Sequence, residues 1–101
     1  MTQDAPGPIE VVWHVEATYA PDGAESRGPF RAEHIDRLQR LKAEGTLIEA
    51  GAFTDVSATV MIVRAATEEE VLALVRADVY MRNGVWVEIR IRPFGRVREP
   101  A

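Results

Sequence analysis

A chain of 101 residues, 47% hydrophobic and 28% charged, is one globular domain large enough to bury its own core. Its net charge of −4, with 12 Lys and Arg scattered along it, offers no basic stripe for nucleic acid. It has no cysteine, which excludes disulfides, thiolate metal sites and a cysteine nucleophile, and no stretch approaches the roughly 20 apolar residues of a membrane span.

Residues 1–8, with two prolines, one glycine and no periodicity, read as a disordered lead-in. They lack the basic and apolar regions of a signal peptide, so a cytoplasmic setting is expected. The first strand is expected over Ile9 to Ala17, where Val11, Trp13, Val15 and Ala17 alternate with Glu10, Val12, His14 and Glu16. His14 falls on the second face, as a solvated or interface residue, and Tyr19 sits where the strand should end. Ala20 to Gly28, rich in turn formers, is a long connecting loop, and long loops in small domains are often functional.

A helix follows over Pro29 to Glu44. His34, Ile35, Leu38 and Leu41 give it an apolar stripe, Pro29 suits its first position and Gly45 its left-handed stop. The second strand, Thr46 to Phe53, contains Gly51, which suggests a bulge or a close backbone approach. The third, Ala58 to Ala65, holds the unbroken apolar run Val60 to Val63. Such a run implies burial on both faces, and in a chain this short the second cover is expected from another copy, hence a homodimer through the sheet faces.

Thr67 to Glu70 spells a capping box opening a second helix, with Val71, Leu72, Leu74 and Val75 on its buried side, to end near Ala77. Asp78 to Gly84 is a link with a turn at Asn83-Gly84. The last strand, Val85 to Pro93, sets Val85, Val87, Ile89 and Ile91 against Trp86, Glu88, Arg90 and Arg92, as an edge strand would, and is ended by Pro93. The domain thus spans residues 9–95, and 96–101 form a tail. The order β-α-β-β-α-β, with right-handed crossovers, gives a four-stranded antiparallel sheet with two helices on one face, the ferredoxin-like α+β arrangement.

Two histidines leave a short list of chemistries. No glycine-rich phosphate loop, paired metal ligands or nucleophile elbow is present, so neither a metal nor another cofactor is expected. An acid–base pair remains: His34 opens the first helix, Asp78 follows the second, and antiparallel helices bring these points to the same end of the sheet. Against this stand plainer readings, in which His34 is a half-buried histidine bonded to backbone and Asp78 a turn former.

The segments F-R-A-E-H-I-D-R-L, L-I-E-A-G, A-D-V-Y and R-N-G-V-W-V-E-I-R-I-R-P-F resemble the YCII (YciI-like) family in order and spacing from about Val11 to Phe94. The resemblance implies a dimeric ferredoxin-like α+β barrel, related in shape to muconolactone isomerase. It also implies a His–Asp active-site pair, with one family branch a dehydrochlorinase of chlorinated hydroxyquinols. The family histidine, in R-x-x-H, matches His34 with Arg31, and the aspartate, in D-P-aromatic, matches Asp78 with Tyr80. Tyr19 matches a tyrosine common at the end of the first strand. Val79 and Ala52 stand where the family usually has proline. The implied function is a cofactor-free lyase or isomerase with His34 and Asp78 catalytic and Arg31, Tyr19 and Tyr80 binding a small substrate. The alternative is a non-catalytic small-molecule-binding or interaction module of the same fold.

Overall fold

The computed structural model describes residues 7–100; residues 1–6, most of the expected lead-in, and residue 101 lie outside the described residues. The elements are β1 (Ile9–Tyr19), α1 (Gly23–Ser26), a 3-10 turn (Gly28–Phe30), α2 (Arg31–Ala43), β2 (Leu47–Ala52), β3 (Ala58–Val63), α3 (Glu68–Arg76), α4 (Val79–Arg82) and β4 (Trp86–Val97). The strands form one antiparallel sheet in the order β2-β3-β1-β4, and α2 and α3 pack on one face of it, so the fold is the expected ferredoxin-like α+β arrangement. Among the described residues no helix is long and apolar enough to cross a membrane.

The core is the layer between sheet and helices. Val15, Ala17 and Tyr19 of β1, Met61 and Val63 of β3 and Leu47 of β2 meet Leu38 of α2 and Val71 and Val75 of α3. The β3 run is not buried equally on both sides: Ala58, Met61 and Val63 are sealed, whereas Val60 and Ile62, on the face without helices, are half-buried. At the far end of β1, Glu10 accepts from Arg64 at 2.7 Å and from Arg96 at 2.8 Å, and these bonds pull its carboxyl down to about 2. Arg96 is therefore a strand residue in an ion-pair network and not part of a free tail.

Local chemistry explains the boundaries. Thr67 caps α3 with the reciprocal bonds of a capping box, its hydroxyl accepting from the Glu70 N–H at 3.2 Å while Glu70 accepts from the Thr67 N–H. Gly45, at φ +85°, ends α2 in the left-handed region. Pro29 lies in the 3-10 turn that leads into α2, and the α-helix itself opens at Arg31. The expected loop holds the single turn of α1, and the expected link holds α4.

Three expectations about the strands are corrected. Pro93 does not end β4, which continues to Val97; β4 is an edge strand paired on one side only, the setting in which a strand tolerates a proline. The alternation of β4 changes phase, because the pairing with β1 shifts between Thr18 and Tyr19: Thr18 faces Glu88 while Tyr19 faces Trp86. Val87 is the extra residue of this bulge and is 55% exposed, whereas Trp86, expected with the charged set, is buried in the core. In β2 the irregularity lies between Leu47 and Glu49 and not at Gly51, where a side chain would meet nothing within 4 Å.

Replacing Thr67 by Ala removes the hydroxyl acceptor of the capping box and is expected to lower stability by about 1 kcal/mol. Urea denaturation of the two proteins measures it, and an unchanged midpoint would contradict the role of the cap.

Candidate active site

The site is built where three elements converge. The α2 stripe turns His34 and Leu38 inward, and both are buried. Beyond α3 the chain stops at Asp78, whose extended backbone (φ −70°, ψ 139°) makes it the N-cap of α4. Its carboxylate Oδ1 accepts the Tyr80 N–H at 2.9 Å and lies 2.8 Å from His34 Nδ1. Oδ2 accepts from Arg37 Nη1 at 3.1 Å, and Arg37 Nη2 is held by the Leu74 carbonyl at 2.8 Å. Val79 takes the first helical position after the cap, where an N–H has no intrahelical partner, so valine serves where the family carries proline.

Asp78 is 1% exposed and His34 4%. Burial pushes the Asp78 carboxyl up, but the bond and charge of His34, the Tyr80 N–H and the Arg37 guanidinium outweigh it, and the group stays below the usual carboxylate range. Asp78 is therefore ionised, and Nδ1 carries the hydrogen of the bond to it. That leaves Nε2 as the ring nitrogen not committed to Asp78. Among the described residues nothing bonds Nε2, and His34 lines a cavity of about 300 Å³.

The imidazole lies flat on Tyr80, with ring centroids 3.7 Å apart and planes 11° apart, and meets the Trp86 ring edgewise at 5.1 Å. Tyr80 and Tyr19 stand edge to face at 6.1 Å, and the Thr59 hydroxyl donates to the Tyr19 hydroxyl at 3.1 Å. Burial, with Tyr19 next, pushes the Tyr80 phenol up, so it remains a hydroxyl at neutral pH.

Tyr19, Arg31, His34 and Tyr80 line one cavity, and Asp78 sits behind the imidazole without reaching its wall. Arg31 lies exposed at the rim. Arg37, Thr59 and Trp86 hold these groups in place, and sequence reasoning had not singled them out. Arg37, three residues after His34, had a signal in its helical spacing. Thr59 and Trp86 had none, because strand register alone brings them here. Val56 also lines the cavity, from the β2–β3 turn, with φ at +57°. A β-branched residue in that region stores backbone strain of about 1–3 kcal/mol. Among the described residues no three His, Asp or Glu side chains gather as a metal site would require.

The sequence profile of the YCII-related domain matches residues 11–95. Among solved structures the chain is similar to 5-chloro-2-hydroxyhydroquinone dehydrochlorinase (TftG) from Burkholderia phenoliruptrix AC1100, in complex with 2,5-dihydroxybenzoquinone. The TM-score is 0.71 and the identity 19%, over 80% of this chain and 90% of that one. No curated protein sequence matches it.

The folded value of Asp78 lies below the 3.8 of the free carboxyl, so its stabilising effect is complete above pH 3.8 and is lost as pH falls through the folded value. Asp78→Asn is expected to cost about 2–4 kcal/mol at neutral pH, by stranding Arg37 and unseating His34, and to flatten that acid-side dependence. Urea unfolding of both proteins across the acid range tests this; parallel pH profiles would refute the assignment.

Proposed function

The chain belongs to the YCII-related family, and on that premise we propose that it is a cofactor-free lyase or isomerase using His34 and Asp78 to move a proton on a small hydroxylated ring. The observation that carries this reading is the 2.8 Å bond behind an imidazole that lines a cavity. Asp78 holds one tautomer and stabilises the imidazolium that forms when Nε2 takes a proton. Tyr80, stacked on the imidazole, keeps the ring from turning. In an elimination, Nε2 removes the proton from the substrate while the leaving group departs with the bonding pair. In an isomerisation the same proton returns to a different carbon. Arg31 meets developing negative charge on the substrate, and Tyr19 and Tyr80 flank its ring. The ring class follows the ligand of the neighbouring structure and the aromatic lining of this cavity.

Two copies joined through their open sheet faces complete the assembly in this reading. Val60 and Ile62 are half-buried there, Phe94 is 42% exposed, and Glu16 faces Arg90 in the β1–β4 register, so the face is mixed apolar and paired charge. The cytoplasmic setting expected from the composition belongs to the same reading.

His34→Ala is expected to lower kcat by about 10²–10⁴-fold on any chlorinated hydroxyquinol or lactone that the parent turns over. Equal turnover by the two proteins would end the proton-transfer reading and leave a binding module. Sedimentation is expected to give twice the 11.2 kDa chain mass, and Ile62→Glu to return it to one; a parent that sediments as a monomer refutes the dimer.

A further inference from the structure

We propose that the segment between β1 and α2 is the specificity element of the cavity, and that Arg27 binds substrate, forming with Arg31 a two-cation mouth that selects rings bearing a planar oxyanion. The proposal rests on the cavity being the substrate site and names the class of substrate it takes.

The geometry starts at Gly23. A side chain there would place its Cβ 2.8 Å from both Cβ and Cδ2 of Tyr19, so only glycine lets this turn press on the tyrosine. Gly23 then receives the Arg27 N–H at 3.0 Å on its carbonyl, which sets Arg27 one turn along. Arg27 and Arg31, four residues apart through the 3-10 turn, both line the cavity.

Among the described residues, Arg37, Arg40, Arg64, Arg82 and Arg96 each bond a carboxylate; of the six arginines that do not, Arg27 and Arg31 are the two that line the cavity. No Asp or Glu lines the cavity. Asp78 stands behind His34 with its charge answered by Arg37. Two neighbouring cations without a counterion repel, and a negative ligand relieves that repulsion. Tyr80, whose phenol stays a neutral donor, lines the same cavity as both arginines. A carboxylate or phenolate bound in this cavity has two guanidinium groups and one O–H among its walls, a donor set for a planar anion. A cavity of about 300 Å³ restricts the ligand to a small ring.

Calorimetric titration of the whole chain with 4-hydroxybenzoate and its neutral isostere 4-hydroxybenzamide tests the proposal. The acid is expected to bind at least about tenfold more tightly than the amide, with a preference that shrinks as salt rises. Arg27→Gln is expected to weaken the acid by about tenfold and leave the amide unchanged, with Arg27→Lys restoring part of the loss. Gly23→Ala, which pushes the turn off Tyr19, is expected to reproduce the Arg27→Gln effect. Equal affinities for acid and amide, no acid binding up to about 10 mM, or an unchanged constant in Arg27→Gln each overturn it. If acid preference is absent while turnover depends on His34, the two-cation mouth falls alone. If the preference is present and survives His34→Ala without any His34-dependent turnover, the proton-transfer reading falls alone.

Discussion

A carboxylate sealed from water is the constraint on which this structure depends. Asp78 is fully buried and ionised, and such a group persists only when hydrogen bonds replace the solvent it has lost. Its partners come from two places in the chain: the Tyr80 N–H from its own α4 turn, and His34 and Arg37 from α2. Satisfying Asp78 therefore fixes how α2 sits against the α3–α4 junction. The residue that bonds the imidazole also fixes how two helices pack, so the candidate site and the architecture share one contact.

The remaining site features follow from that contact. With Nδ1 committed to Asp78, the imidazole lines the cavity and Tyr80 lies over the ring plane. Trp86 and Tyr19 close the aromatic cluster from the sheet side. The wall opposite is made of the β2–β3 turn, with Val56 in a strained conformation, and the rim is supplied by Arg27 and Arg31. Strained backbone is costly in a free-standing fold, and it borders the same void as the two arginines. The two faces of the sheet divide the labour: one is covered by helices and carries the cavity, and the other presents half-buried Val60 and Ile62 beside alternating charges.

Element types were legible in the amino-acid order because period-two and period-3.6 patterns dominate, as in Val15, Ala17 and Tyr19 or in His34, Leu38 and Leu41. The T-x-x-E box and Gly45 carry their own boundary chemistry. What misled was context. Pro93 looks like a strand stop until its strand proves to be an edge, and Trp86 looks solvent-facing until a bulge shifts the phase of β4. Gly51 suggests a bulge that lies nearer Leu47. Each depends on pairing between segments distant in sequence, and no local pattern encodes that pairing.

By itself, then, the sequence determined the order of the four strands and the two long helices, the ferredoxin-like class and the two residue types able to exchange a proton, since these rest on periodicity, capping and elimination among so few reactive side chains. Only the tertiary structure decided that a histidine and an aspartate 44 positions apart lie at 2.8 Å, that Arg37 balances the buried charge, and that Arg27 reaches the same cavity as Arg31. The reason is physical. Hydrogen-bond geometry and desolvation are properties of groups brought together in space, and they arise only once register and helix packing have closed the core.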